Sequence, residues 1–148
     1  MTAGVVRGLA RRAKPRVPME TLDRALIASA NGLEGDFRGT ARTRQVTVLF
    51  AEDWQAACAA LGRDVDWTVR RANVLVAGIA NPKAAGGLIA LGAARIRILG
   101  ETAPCARMDA AEPGLRAALT PDWRGGVFSV VEVDGAVEVG DAAGWIES

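Results

Sequence analysis

The sequence contains no histidine among its 148 residues. Histidine is the side chain most often used as a general base near neutral pH, and it is a common zinc ligand. The chain therefore cannot form a Ser–His or Cys–His catalytic pair from its own residues. The usual zinc sites are excluded for the same reason.

Cysteine is also scarce, since Cys58 and Cys105 are the only two. Two cysteines are too few for a disulfide framework or a four-cysteine metal site. No apolar run reaches the ~18 residues that a transmembrane helix needs. The basic segment 7–16 is not followed by the apolar core of a signal peptide. We therefore expect a cytoplasmic protein with no membrane partner.

Net charge is nearly absent, because 18 Lys and Arg face 17 Asp and Glu. No overall field attracts nucleic acid. The basic residues near the N-terminus form a local cluster: Arg7, Arg11, Arg12, Lys14 and Arg16. Such a cluster is typical of a solvated face, and no aromatic residues are interleaved for base stacking. We expect no nucleic-acid partner.

The pattern of apolar residues predicts a β-rich α+β chain of one domain. Strands are predicted at 44–50, 73–79, 95–99, 127–133 and 136–139, with Asp134–Gly135 as a hairpin turn between the last two. Helices are predicted at 52–61 and 112–119, and the first places Cys58 in a core stripe. Residues 21–30 fit a helical face but form only a short run. Short strands and frequent glycine turns favour a closed or half-closed antiparallel β-barrel with two or three peripheral helices.

The segment around Cys105 is the most informative part of the chain. Cys105 directly follows Pro104 and stands two residues before Arg107. Proline favours a rigid loop, and a nearby guanidinium favours the thiolate, which is the nucleophilic and metal-binding form of cysteine. The alternative is a buried, inert cysteine, which is the commoner case.

Two further segments carry side chains that suit an anionic ligand, and we expect them to converge with Cys105 and Arg107. One contains Thr68, Arg70, Arg71 and Asn73, and the other contains Arg124, Gly125 and Gly126. Arginine presents a planar fork of donors to phosphate, asparagine offers a donor and an acceptor, and consecutive glycine amides can bind an anion. Each residue alone also has a structural interpretation, as a surface arginine, a loop-bridging asparagine or a glycine turn.

These segments together resemble the MOSC domain family, the C-terminal domain of molybdenum cofactor sulfurases. The resemblance rests on Arg-x-Asn-Val at 71–74, Pro-Cys-x-Arg at 104–107, Gly-Gly-Val at 125–127 and Gly-Asp at 140–141, in this order. With Gly-Asp at 35–36 it runs from about Pro15 to Asp141, which leaves 1–14 as a basic N-terminal segment and 15–148 as the MOSC domain. Phe37 departs from the family, in which a histidine often follows the first Gly-Asp pair.

The resemblance implies a barrel-like fold, an extended segment at 21–30, and a site for the molybdenum cofactor, a phosphorylated pterin whose dithiolene binds molybdenum. In the reductase members the cysteine of the Pro-Cys position ligates the metal, which maps to Cys105 after Pro104. The Arg-x-Asn segment lines the pterin site, which maps to Arg71 and Asn73. Those reductases remove oxygen from N-hydroxylated compounds with electrons from separate redox proteins.

Three functions stay open at this stage. The first is a molybdenum cofactor protein with an external electron donor, in which Cys105 ligates the metal. The second is a sulfur carrier with a persulfide on Cys105, served by a sulfur donor protein. The third is a non-catalytic binding module for a small molecule. No sequence feature indicates haem, flavin or iron–sulfur binding.

Overall fold

The computed structural model describes residues 4–37 and 44–146. The strands are β1 Gly4–Arg11, β2 Glu20–Leu22, β3 Arg24–Ala28, β4 Gly32–Leu33, β5 Val46–Phe50, β6 Val74–Ala77, β7 Leu88–Leu91, β8 Ala94–Glu101, β9 Val127–Val133, β10 Gly135–Glu138 and β11 Ala142–Ile146. The helices are α1 Ala51–Leu61, α2 Ala106–Ala111 and α3 Leu115–Leu119. Two 3₁₀ turns cover Trp67–Arg70 and Pro121–Trp123. The predicted β-rich chain with helices is confirmed.

Seven strands close into a barrel in the order β11, β7, β8, β9, β5, β6, β1, and pairing of β1 with β11 completes the circle. The closing register is Gly4 opposite Ala143 and Val5 opposite Ala142. The pair β5–β6 is parallel, whereas the other barrel pairs are antiparallel. The predicted closed barrel is thus confirmed, with one parallel contact that makes it mixed.

Alternating side chains on β5 explain how the barrel and the helices are joined. Val46, Val48 and Phe50 point into the barrel core, whereas Leu49 belongs to a second buried cluster beneath the helices. Successive strand residues face opposite sides of a sheet, so one strand contributes to both cores. Strand β6 does the same, since Val74 and Val76 lie in the barrel core and Leu75 packs against the second cluster.

Helix α1 follows the signals read from the sequence. Glu52 and Asp53 occupy its first turn, and Gly62 ends it with a φ of 76°. Trp54, Ala57 and Cys58 are its buried residues. Cys58 is 7% exposed, so its predicted core position is confirmed.

The N-terminal basic segment contributes the barrel strand β1, which pairs with β2, β6 and β11. Residues 21–30 are extended, as the family resemblance implied, because β2 and β3 cover most of them. The predicted helix at 112–119 is shorter than expected: a separate helix, α2, comes before it, and α3 begins only at Leu115. Gly114 lies between them at a φ of 89°, outside the helical region.

The predicted hairpin at Asp134–Gly135 is wrong. Strand β10 pairs with β3 in a separate three-stranded sheet rather than with β9. The Asp134 carboxylate accepts a hydrogen bond from the Ser29 amide at 2.8 Å, which directs the chain toward β3. Gly135 is required for another reason, since a Cβ there would lie 2.4 Å from the Ala93 carbonyl carbon.

None of the helices in the described residues is both long enough and apolar enough to span a bilayer.

Candidate functional site

A cleft of about 140 Å³ lies where strand ends and loops meet beside β5. The described residues that line it are Arg12, Met19, Asp36, Phe37, Arg44, Thr47, Val48, Arg70, Arg71, Ala72, Asn73, Thr102, Ala103, Cys105, Arg107, Met108 and Gly125. Six of the ten residues selected from the sequence are therefore brought together.

Cys105 lies on the wall of this cleft and is exposed. It occupies the position just before α2, with extended backbone angles, and its carbonyl accepts a hydrogen bond from the Met108 amide at 2.9 Å. Pro104 precedes it in the loop that leads from β8. The two free cysteines thus differ in exposure, as expected: Cys105 is exposed, and Cys58 is buried in the core.

Arg70 is the buried cation of the cleft, with 8% of its surface exposed. Its Nε donates to the Gly125 carbonyl at 3.0 Å, and one terminal nitrogen donates to the Thr102 carbonyl at 2.6 Å. Its other terminal nitrogen lies 3.6 Å from the Met108 Sδ. Burial lowers the pKa of Arg70 to about 10, whereas the neighbouring Cys105 and Glu101 act in the opposite direction. Arg70 therefore stays charged at neutral pH.

Arg71 and Arg107 are the exposed arginines of the cleft wall. Arg71 has a φ of 67°, an unusual conformation for a residue with a side chain. Within the described part of the chain, neither guanidinium forms a hydrogen bond or an ion pair. Both are therefore available to an anionic ligand.

Asn73 lines the cleft, but its side chain forms hydrogen bonds that hold strands together. Its Oδ1 accepts from the Thr47 amide at 3.0 Å and from the Thr47 hydroxyl at 3.2 Å. Its Nδ2 donates to the Ala10 carbonyl at 3.2 Å. Asn73 is 4% exposed. It joins β1 and β5 at the start of β6.

Gly125 and Gly126 are needed for close packing. A Cβ on Gly125 would lie 2.6 Å from the Thr102 carbonyl oxygen, and one on Gly126 would lie 2.2 Å from the Val48 carbonyl oxygen. The Gly126 amide donates to the Trp123 carbonyl at 3.0 Å. Of the predicted pair of anion-binding amides, the Gly126 amide is therefore already bonded within the fold.

Thr68, Pro104, Arg124 and Gly126 are not among the described residues that line the cleft. Thr68 donates through its amide and hydroxyl to the Asp66 carboxylate, which caps the 3₁₀ turn. Those hydrogen bonds hold the pKa of Asp66 below its usual value. Arg124 donates to the Ala118 carbonyl at 3.1 Å and so ties its loop to α3.

Sequence reasoning missed Arg12 as a cleft residue. The basic cluster predicted a solvated face, yet Arg12 is 5% exposed, and its guanidinium lies 4.8 Å from the centre of the Phe37 ring. The sequence offers no local signal for this position, because Arg12 follows the end of β1 and the burial along that strand does not alternate regularly. Phe37 itself, the departure from the family pattern, lines the cleft beside Arg12.

Arg44 and Thr102 were also not selected. Arg44 lies 5.0 Å from the centre of the Phe128 ring. The Thr102 Oγ1 is buried and has no hydrogen-bond partner within the described residues. An unpaired buried hydroxyl at a cleft wall is a position where a ligand can supply the missing partner.

The charge of the cleft is strongly positive. The described lining residues include one carboxylate, that of Asp36, and five arginines: Arg12, Arg44, Arg70, Arg71 and Arg107. In residues 4–37 and 44–146, no group of three His, Cys, Asp or Glu side chains could hold a metal ion. A metal at Cys105 would therefore need further ligands from a bound molecule. The arrangement suits an anionic ligand that brings a soft metal or a sulfur centre to the thiol.

Comparison with known proteins gives a consistent result. The family model of the MOSC domain matches residues 34–143. The YuaD protein from Bacillus subtilis superposes with a TM-score of 0.82 at 19% identity, over 96% of this chain and 94% of that one. YiiM from Escherichia coli gives 0.71 at 14% identity, over 97% and 70%. YiiM from Geobacillus stearothermophilus gives 0.69 at 16% identity, over 98% and 74%. No curated protein matches significantly.

Proposed function

The chain belongs to the MOSC domain family, and on that premise we propose that it binds the molybdenum cofactor in the arginine-lined cleft, with Cys105 as a ligand of the metal. The observation that carries the proposal is the position of Cys105. Its thiol is exposed on the wall of a cleft whose described lining includes five arginines and one carboxylate. Thiolate is a soft ligand of the kind that holds transition metals.

The residues present fit such a cofactor by their chemistry. The phosphate of the cofactor is an anion, and the guanidinium groups of Arg71 and Arg107 at the cleft wall form no hydrogen bond or ion pair with the residues that the structure describes. The buried Thr102 Oγ1 lacks a partner within the described residues and could bond to a polar ligand atom. In this proposal Arg71 and Arg107 bind the anionic part and Cys105 binds the metal.

Asn73 has a different role in this proposal from the one the family pattern implied. Its side chain oxygen and nitrogen already bond to Thr47 and Ala10. Asn73 therefore supports the strand ends that carry Arg71, and direct ligand contact falls to Arg71.

The proposed activity is reduction of N-hydroxylated compounds with electrons from a separate donor protein. Oxygen removal from the substrate is the chemistry that the molybdenum centre would supply when bound. The chain itself contributes the anion-binding arginines, the sulfur ligand and the shape of the cleft.

A second candidate is a sulfur carrier with a persulfide on Cys105. The exposure of Cys105 favours it, since a sulfur donor protein must reach the thiol directly. The positive cleft also suits this function, because a persulfide is anionic and positive neighbours favour that form.

The two candidates are separated by analysis of protein produced in a host that makes the molybdenum cofactor. We expect stoichiometric molybdenum and released pterin in the wild type, and loss of the molybdenum in Cys105→Ser. Cys58→Ser is the matched control: it should keep the cofactor while lowering stability, because Cys58 is buried in the core. Molybdenum absent from the wild type would contradict cofactor binding, and a persulfide on Cys105 by mass spectrometry would then support the carrier. Loss of cofactor in Cys58→Ser alone would reverse the assignment of the two cysteines.

A further inference from the structure

Arg70 contacts the chain on both sides of Cys105. Its guanidinium donates to the carbonyl of Thr102, three residues before Cys105, and lies 3.6 Å from the sulfur of Met108, three residues after it. The same group donates to the carbonyl of Gly125, in the glycine loop that packs against Thr102. One buried side chain thus holds the loop before the cysteine, the helix after it and the adjacent glycine loop.

Within the described residues no carboxylate forms an ion pair or hydrogen bond with Arg70, and the Glu101 carboxylate acts on its charge only from a longer distance. Within residues 4–37 and 44–146, its hydrogen-bond acceptors are the two carbonyl oxygens and the Met108 sulfur. Burial keeps this charge away from water, so its field is screened less than that of an exposed arginine. Arg70 and Cys105 both line the cleft, and the thiol lies within the range of this field.

We propose that Arg70 is a positioning and specificity-determining residue that fixes the segment 102–108 around Cys105 and makes the Cys105 sulfur favour anionic reaction partners. The forked guanidinium supplies the fixed geometry, because it has donors in several directions where a lysine has one ammonium. Its buried positive charge, which no described carboxylate pairs at contact distance, supplies the preference for anions. Arg71 and Arg107 add to the charge, but they are exposed and more strongly screened.

The charge effect is tested by alkylating Cys105 with anionic iodoacetate and with neutral iodoacetamide, at one pH and low salt. The rates are read on the Cys105 peptide by mass spectrometry in cofactor-free protein. Both reagents attack the same sulfur in the same protonation state, so the ratio of their rates reports the local charge. We expect Arg70→Gln to lower the iodoacetate-to-iodoacetamide ratio by about fivefold.

Arg95→Gln is the matched control, because Arg95 is exposed on β8, outside the described cleft wall, and its removal changes the net charge equally. The control should leave the ratio unchanged, and Arg70→Lys, which keeps the charge, should restore most of it. An Arg70→Gln ratio equal to that of Arg95→Gln would overturn the specificity role.

The positioning role has its own test, which remains decisive if Arg70→Gln fails to fold. In Arg70→Lys, hydrogen exchange of the peptide covering 102–108 should be at least about tenfold faster than in the wild type, because one ammonium nitrogen cannot occupy the three positions from which the guanidinium nitrogens meet separate acceptors. Exchange in the central part of β8 should not change. Unchanged exchange at 102–108 would overturn the positioning role.

This inference rests on the proposed function only in taking Cys105 as the reacting sulfur. The alkylation and exchange measurements use protein without cofactor. A wild type that lacks molybdenum but shows the Arg70 effect would contradict the cofactor proposal and leave this one supported. A wild type that contains molybdenum but shows no Arg70 effect would support the cofactor proposal and contradict the role proposed for Arg70.

Discussion

At the scale of single residues, the segment that contains Arg70 and Asn73 has one residue that stabilises the fold and one that shapes the site. Asn73 connects two strands through its side chain, whereas Arg70 braces the loops that form the cleft. The sequence marked both residues as ligand contacts, Asn73 through the Arg-x-Asn motif at 71–73 and Arg70 through the anion-binding chemistry of arginine. It could not separate the two roles, because the partners, Ala10, Thr47, Thr102 and Gly125, are distant in the chain.

Replacing Asn73 tests its structural role. Asn73→Ala removes three side-chain hydrogen bonds and leaves the Ala10 carbonyl and the Thr47 amide without these partners. We expect a loss of about 3 kcal/mol in the free energy of unfolding, because buried polar groups without partners are costly. Urea denaturation measures it, with the exposed turn residue Asn31→Ala as the control. A loss below about 1 kcal/mol would show that these bonds are not structural.

At the scale of elements, local sequence signals predicted the helix and strand types well. They did not predict which distant strands pair. Acidic residues in the first turn and Gly62 after the end located α1. The dipeptide Asp134–Gly135 has the composition of a tight hairpin, yet Asp134 bonds to Ser29 and β10 pairs with β3. The partner of a strand is set by tertiary packing, which a two-residue motif does not encode.

Gly135 therefore has a packing role that substitution can reveal. Gly135→Ala would place a Cβ 2.4 Å from backbone atoms of Ala93, which cannot move as a flexible side chain can. We expect a loss of about 2–3 kcal/mol by thermal or urea denaturation. Gly144→Ala in β11 is the matched control, since no atom lies within 4 Å of its Cβ. Equal stability of the two variants would show that the backbone at Ala93 yields to Gly135→Ala at little cost.

The 3₁₀ turn before Arg70 should carry a pH-dependent contribution from its cap, Asp66. Hydrogen bonds from the Thr68 hydroxyl and amide lower the pKa of Asp66 below 3.8 in the folded state. The stabilisation is therefore present above pH 3.8 and is lost as the pH falls through the folded-state value. Asp66→Ala should cost about 1 kcal/mol at pH 7, the usual value of an N-cap.

That cost should decrease as the solution is acidified below pH 3.8, because the wild-type carboxyl becomes protonated. Denaturation curves of the two proteins between pH 7 and pH 2.5 measure the change. A difference that stays constant over this range would contradict the assignment of the effect to the Asp66 carboxylate.

At the scale of the whole molecule, strand β1 connects the other parts of the fold. It closes the barrel against β11, pairs with β6 and β2, and leads to Arg12 at the cleft. The sequence predicted a closed or half-closed barrel from short strands and glycine turns. It found Cys105, Arg71 and Arg107 because local motifs mark them. It missed Arg12 and Arg44 as cleft residues because the closed barrel, and not a motif, brings these arginines to Cys105.

A barrel joined in this way should unfold as one unit. Trp54 and Trp67 belong to the cluster beneath the helices, and Trp123 and Trp145 pack against the barrel core. Tryptophan fluorescence and far-ultraviolet circular dichroism should therefore give coincident denaturation curves with one transition. Separate transitions would show that the helical layer, which carries Cys105 at the start of α2, unfolds independently of the barrel.

The central claim is that Cys105 ligates molybdenum, and counting the sulfur ligands of the metal tests it most directly. X-ray absorption at the molybdenum edge would be recorded on cofactor-loaded wild type and on Cys105→Ser or, where that variant loses the metal, on Cys105→Ser reconstituted with excess cofactor. The account predicts one sulfur ligand more in the wild type than in the variant, with Cys58→Ser identical to the wild type. The same number of sulfur ligands with and without Cys105 would contradict it.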